Sequence, residues 1–378
     1  MFGTYIHIPF CEKLCTYCDF AKEIAKPEKK RAYLEALFYE MALTHSTLKH
    51  SDTVYIGGGT PTALSDADFA ALLKEIARYV DVASLKEFTV EANPSSLTAE
   101  KARLMKLYGV TRVSLGVQTF NDAYLTLINR DHRQADVLTA LSHLTAHGLD
   151  NFSLDIMFGL PTQTMQAFEK DLDAFLEIKA AHYSIYALIL EDHTKLHHQI
   201  KHGLLTLPDD DSVADMYGLI IQRLTDAGYE HYEISSFARP SKRSLHNQVY
   251  WRNDRYIGLG AGAHGRLDHR RYENIRSVKK YTEGMIEKGL DTRIYYAYKP
   301  IHDTLMMGLR MRDGIDLNAF QAAFNTHPLT RFPGLKKTLD DGLIRIQNDH
   351  LQLTDKGLFF ANDVWMECMD DETTSEGI

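Results

Sequence analysis

Cysteine is scarce in this chain: there are four, three of them within eight positions and the fourth, Cys368, near the far end. That count and that crowding exclude the evenly paired disulfide framework of a small secreted scaffold. No run of eighteen apolar residues occurs, so no segment reads as a membrane-spanning helix. The opening MFGTYIHIPFCEKLC lacks a basic region followed by an apolar stretch, which excludes a secretory signal and makes the cytoplasm the expected compartment. Surplus positive charge is missing as well. Lys and Arg number 42 against 51 Asp and Glu, a formal charge of −9, whereas a nucleic-acid partner needs clustered basic residues. What is present is a globular balance, 44 % hydrophobic and 25 % charged, in a chain long enough for one large unit and one smaller. In such a protein three crowded thiols point to a metal centre.

Short β-rich runs alternate with amphipathic helical patterns over about two-thirds of the chain. Strands are predicted at residues 5–10, 53–58, 87–93, 112–118, 152–158, 183–190 and 232–237. Helices are predicted between them, at 29–43, 66–79, 99–107, 134–147, 165–178 and 211–227. Strands separated by single helices make parallel βαβ units, and six or seven in succession predict an α/β fold built as a partial (β/α) barrel. Neighbouring side chains on a strand face opposite sides. On this alternation Val113, Leu115 and Val117 oppose Ser114, Gly116 and Gln118; Phe88 and Val90 oppose Thr89, Glu91 and Asn93; and Leu154 and Ile156 oppose Ser153 and Asp155. The polar residues gather toward the C-terminal strand ends, where barrels of this kind place their sites.

Beyond residue 300 the pattern changes to helices at 301–309, 317–324 and 334–341, then a hairpin over 343–353 turning at Asn348-Asp349, then a helix from Asp355. Helices followed by a hairpin look like a winged helix. Seven basic against ten acidic residues over 301–370 is the wrong sign for DNA, so a packing lobe is the preferred reading. The expected organisation is therefore 1–240 as the barrel, 241–300 as a connecting segment, 301–369 as a small C-terminal domain and 370–378 as a disordered acidic tail.

The cysteines are spaced Cys11-x3-Cys15-x2-Cys18, directly after the first predicted strand. Thiolates this close can wrap one metal centre. One reading is a zinc site completed by a histidine such as His7. The other is a [4Fe–4S] cube with one iron left open, which the amino and carboxylate groups of S-adenosylmethionine could chelate.

The loop resembles the radical-SAM signature, with Tyr17 at the aromatic position before the third cysteine. The likeness continues through Gly57-Gly58-Gly59-Thr60-Pro61-Thr62, Glu91-Ala92-Asn93-Pro94, Gly116-Val117-Gln118-Thr119-Phe120 and Asp155-Ile156-Met157-Phe158-Gly159-Leu160-Pro161. Together these motifs resemble the HemN-like family of radical-SAM proteins, which contains oxygen-independent coproporphyrinogen III dehydrogenases and haem chaperones, and the likeness spans essentially the whole chain. It implies a TIM-like partial barrel with a small winged-helix-like C-terminal domain. It also implies a [4Fe–4S] cluster on Cys11, Cys15 and Cys18, and S-adenosylmethionine held by Tyr5, Gly58, Gly59, Thr60, Glu91, Gln118, Arg130 and Asp155.

Two features bear on the branch of the family. Dehydrogenase members resemble one another in a further cysteine two residues after the third and in a longer segment before the signature; here Phe20 stands at that position and ten residues precede Cys11. His246-Asn247-Gln248-Val249-Tyr250-Trp251 is similar to the HNxxYW motif of the haem-chaperone members. The resemblance therefore implies haem bound through His246, Asn247, Tyr250 and Trp251, with the iron ligand left open. It further implies haem-accepting apoproteins such as membrane-bound respiratory enzymes, an electron donor, and transient approach to a membrane. His193, His197, His198 and His202 have helical spacing, but Lys195 and Lys201 among them make a solvated helix face the preferred reading. Cys368 is expected to be a packed helix residue and not a fourth ligand.

Overall fold

The computed structural model describes residues 1–268 and 270–369; the tail at 370–378 lies outside the described residues. Six strands, β1 (Phe2–Ile8), β2 (Thr53–Gly58), β3 (Glu87–Ala92), β4 (Arg112–Gln118), β5 (Phe152–Phe158) and β6 (His182–Ala187), run parallel and pair in chain order. β-Branched residues that suit a pleated surface, among them Val54, Ile56, Val90, Val113 and Ile185, are buried along them. β1 ends at Ile8, short of the predicted 5–10, because Pro9 has no N–H with which to extend the ladder.

Helices Pro27–Leu43, Asp66–Tyr79, Ala99–Leu107, Gln134–Ala146 and Met165–Ile178 carry the chain back between strands. Ser65, Thr98 and Thr164 each accept a backbone N–H three residues on, which satisfies one of the orphan donors at a helix start. Each helix turns one apolar stripe to the sheet, as Phe69, Leu72, Leu73 and Ile76 do in Asp66–Tyr79. Burial of a side chain of this size stabilises by roughly 1.5–3 kcal/mol, and the cluster they join runs the length of the barrel wall.

The barrel does not close. The seventh predicted strand is two short ones, β7 (Glu230–Glu233) and β8 (Ser236–Ala238), and β8 lies antiparallel to β6. The break falls where Glu233 turns its carboxylate onto the Ser235 N–H and the Arg310 guanidinium, a tertiary contact that alternation cannot foresee. On the other edge β9 (Arg255–Leu259) pairs parallel with β1, and β10 (His264–Leu267), β11 (Arg270–Glu273) and β12 (Ile294–Tyr296) continue antiparallel. Glu40, fully buried in the first helix, fastens this extension by accepting from Gly260 N, Asn274 Nδ2, Tyr281 Oη and Arg293 at 2.7–3.0 Å. Residues from Leu305 to Cys368 pack around an apolar cluster of their own, with β13 (Ile315–Asp316), β14 (Ile344–Gln347) and β15 (His350–Leu353) as a three-stranded sheet. Asn348 and Asp349 have φ of +51° and +58°, the left-handed pair of a tight hairpin turn.

The N-terminal end of the barrel is plugged by the helix Leu245–Trp251, which packs against β1, β2 and β3. Glu87 holds it: one carboxylate accepts from Leu245 N at 2.9 Å and His246 N at 3.0 Å, with Ser244 Oγ at 3.4 Å. Gly3 leaves the space, since a Cβ there would stand 3.2–3.3 Å from Val249 and His246. Glu87→Ala strands these donors inside the barrel, at a cost of about 3 kcal/mol. Urea unfolding followed by circular dichroism is expected to show an earlier barrel transition; an unchanged midpoint would mean that packing alone holds the plug.

Candidate functional site

The C-terminal strand ends place residues distant in sequence around one cleft. Cys11, Cys15 and Cys18 from the loop after β1, Gly58, Gly59 and Thr60 after β2, Glu91 on β3, Gln118 at the end of β4, Asp155 on β5 and Arg130 all line it. It encloses about 150 Å³ and is open to solvent at its mouth. Tyr5 is the exception among the residues assigned to S-adenosylmethionine: it lines the neighbouring groove, its hydroxyl on His7 Nδ1 at 3.0 Å.

The cysteine loop has no regular structure and is pinned by single bonds. Cys11 N donates to Glu23 O, Thr16 N to Ile128 O, and Asn129 Nδ2 to Leu14 O, at 2.7–3.1 Å. Cys11 is buried, and burial, with Cys15 and Cys18 nearby, pushes its thiol up to about 11. Thr60 Oγ1 donates toward Cys11 Sγ at 3.7 Å and Arg130 toward Cys15 Sγ at 3.5 Å, contacts that favour thiolates. A cationic metal centre would complete that ionisation. Among the described residues no three His, Cys, Asp or Glu side chains converge on a single ion, and His7 has both ring nitrogens engaged, by Tyr5 Oη and Ala21 O.

The same cleft carries two half-buried carboxyls. Glu91 accepts from Tyr55 Oη at 2.7 Å and from Gly58 N at 3.0 Å. Burial raises it to about 7, with Asp155 adding to the rise. Asp155 accepts from Ser114 Oγ at 2.9 Å on both oxygens, and burial raises it to about 6. The glycine run is needed by these neighbours: a Cβ on Gly57 would stand 2.8 Å from the Glu91 carboxylate, and Gly58, at φ +117°, would place one 2.5 Å from the His7 ring. Gln118 has φ +69° at a register shift in β4 and accepts from Tyr186 Oη. Such a strained non-glycine residue marks a position held for its side chain. Arg130 donates to Gly116 O at 2.6 Å and Asn93 Oδ1 at 2.8 Å, and Asn93 in turn donates to Asp131. Asn93, Ser114, Tyr55, Asp131 and Tyr186 were not singled out from sequence. Ser114 lay on the recognised polar face of β4, whereas Tyr55 and Tyr186 carried no signal beyond their strands.

The haem-motif residues do not share a surface. His246 is fully buried, its Nδ1 on Thr53 Oγ1 and its Nε2 on Tyr250 Oη, both at 2.8 Å, and its ring is stacked on Tyr55. Burial lowers it to about 3. Tyr250 lines the groove beside the cleft, while Trp251 faces the C-terminal lobe with Arg310 over its ring at 4.5 Å. Asn247 sits half-buried on the same short helix. His198 and His202 stack on each other at 4.0 Å on a surface helix away from the cleft. Cys368 is buried in the C-terminal cluster, its Sγ on Val364 O.

An open parallel barrel with three cysteines after its first strand, sharing a cleft with half-buried carboxyls on its third and fifth, defines a radical S-adenosylmethionine protein. The radical SAM superfamily model matches residues 5–175, and the HemN C-terminal domain model matches 299–360. The chain belongs to the HemW family: it is 40 % identical over 372 residues to the heme chaperone HemW of Bacillus subtilis, covering 97 % of this chain and 98 % of that one. It is also 38 % identical to HemW of Lactococcus lactis, covering 98 % of each. The coproporphyrinogen III oxidase HemN from Escherichia coli, a radical SAM enzyme, shares the fold with a TM-score of 0.83 at 24 % identity, over 97 % of this chain and 89 % of that one. A [4Fe–4S] cluster and S-adenosylmethionine are the cofactors of this superfamily, and the thiols and carboxyls of the cleft fit them.

The raised carboxyls give the fold a pH dependence. A carboxyl whose pKa rises on folding favours the native state while it is protonated, so Glu91 stabilises fully below its ordinary 4.5 and loses that contribution as pH climbs through about 7. Glu91→Gln copies the protonated form. Before cofactors are added, the variant is expected to gain stability relative to the parent protein between about pH 5 and pH 8, measured by thermal unfolding at each pH. A constant difference across that range would remove the assigned shift.

Proposed function

We propose that this protein is a haem chaperone: it binds haem and passes it to an apoprotein. The observation that carries this reading is the near-complete, 38–40 % match to heme chaperones HemW, spanning barrel, motif helix and C-terminal lobe alike. Cys11, Cys15 and Cys18 would hold the [4Fe–4S] cluster. Gly58, Gly59, Thr60, Glu91, Gln118, Arg130 and Asp155 would surround S-adenosylmethionine, with Tyr5 reaching it from the adjoining groove. A cluster held there would supply a single electron for reduction of the sulfonium of S-adenosylmethionine. The chain's own part is orientation. Glu91 and Asp155, preset by Tyr55, Gly58 and Ser114, offer acceptors to a cationic ligand, whose charge draws both carboxyls back toward ionisation.

Phe20, where dehydrogenase relatives have a cysteine, is 70 % exposed at the cleft mouth and offers no ligand. That supports carriage of haem over oxidation of porphyrinogen. In this reading residues 1–300 act as one cofactor-bearing unit and 301–369 as a lobe against it. No helix among the described residues is long and apolar enough to cross a membrane. Work in the cytoplasm, with brief visits to a membrane where a respiratory enzyme accepts the haem and with a separate electron donor, completes the proposal.

Two experiments test it. After anaerobic reconstitution, alanine at Cys11, Cys15 or Cys18 is expected to abolish the four-iron cluster, while Cys368→Ala keeps it; iron and sulfide analysis decides, and equal loss in the Cys368 variant defeats the three-ligand assignment. The parent protein is expected to bind one haem per chain and yield no protoporphyrinogen IX from coproporphyrinogen III with a strong reductant. Multiple-turnover formation of that product, followed by chromatography, would replace the chaperone reading with the dehydrogenase.

A further inference from the structure

The motif histidine is already spoken for. His246 is enclosed, both of its nitrogens bonded within the protein, and freeing one would break the contact with Thr53 or with Tyr250. His7, the other histidine between plug and cleft, is engaged at both nitrogens as well. An iron ligand must come from elsewhere.

Beside the cofactor cleft, and sharing Gly58, Glu91 and Phe20 with it, lies an open groove of about 440 Å³. Tyr5, Tyr250 and Tyr256 wall it, Tyr250 and Tyr256 meeting edge to face at 4.8 Å. Flat aromatic walls suit a flat ligand, and the charged residues of the lining are Asp19, Glu91 and Arg276. On its outer side stand two residues of another kind, His264 at the start of β10 and Arg276. His264 is exposed. Its Nδ1 meets Tyr296 Oη at 3.0 Å, and among the described residues Nε2 has no hydrogen-bond partner. Tyr296 fixes the ring through Nδ1, as the outer partner of a metal-binding histidine does, and His264 lines the groove. Desolvation on its packed side lowers the imidazole from its usual pKa. Arg276 donates to Asp19 O at 2.9 Å with the Asp19 carboxylate 3.9 Å from the same nitrogen, and its guanidinium is exposed at the rim.

We propose that haem lies in this groove with its iron on His264 Nε2, its face against Tyr5, Tyr250 and Tyr256, and a propionate on Arg276. His246 is then a positioning residue: it holds Tyr250 as a wall and does not touch the iron. The proposal rests on the haem-chaperone reading and names its binding site.

Full-length, cluster-loaded protein titrated with ferric haem tests it. His264→Ala is expected to lose the absorption and resonance Raman signature of histidine ligation and to bind haem about tenfold more weakly. Free imidazole is expected to restore the signature. Cluster content and S-adenosylmethionine binding are expected to stay unchanged. His246→Gln is expected to keep the ligation signature, with weaker binding as Tyr250 loosens. If His264→Ala keeps the parent spectrum, or His246→Gln alone loses it, the site is wrong while the chaperone reading stands. If the parent protein binds no haem, both fall.

Discussion

The grip of Glu87 on the backbone of Leu245 and His246 organises the interior of this molecule. A polar barrel lumen needs its lower end closed, or water would compete for every hydrogen bond above it. The plug helix supplies the closure, and Glu87 supplies acceptors for its otherwise orphaned first N–H groups. Once seated, His246 bonds Thr53 below and stacks on Tyr55 at 5.1 Å. Tyr55 in turn donates to Glu91 at the mouth. A single column of contacts thus runs from the plug to the cofactor cleft, and the motif helix reaches the cleft through it.

That column explains how one helix can serve two places. Through Tyr55 it sets the orientation of Glu91, a carboxyl that shares the cleft with the cysteines. Through Tyr250 it forms the wall of the neighbouring groove. The two spaces share Glu91, Gly58 and Phe20, so a ligand in one meets the side chains that shape the other. Coupling between cofactor and cargo needs no long pathway here; the physical link is a shared wall.

Outside the barrel, Glu40 plays a comparable part for the sheet extension. Its four donors come from four separate segments between Gly260 and Arg293, and the Arg293 pairing offsets part of the cost of burying the carboxylate. The extension carries Tyr256, His264 and Arg276, so the outer half of the groove depends on this hub.

The sequence by itself determined the order of parallel strands, the polar faces of β3, β4 and β5, the hairpin at Asn348-Asp349 and the clustering of Cys11, Cys15 and Cys18, because each is a matter of local period or spacing. Strand alternation was enough to put Glu91, Gln118 and Asp155 on one side of the wall. Only the tertiary structure decided which polar residues meet. Tyr55 looks like an ordinary strand residue until Glu91 arrives against it from the next strand, and Asn93, just past β3 in phase with its polar face, meets Arg130 only because a loop beyond β4 brings it there. It also decided the fate of the HNxxYW helix, whose residues read as one exposed ligand set in a line of sequence. A helix turns successive side chains by about 100°, so Trp251 points to the lobe while His246 and Tyr250, an i, i+4 pair bonded to each other, lie on the barrel side. Which of them meets water is settled by what packs against the helix, and that comes from strands more than 150 residues away in the chain.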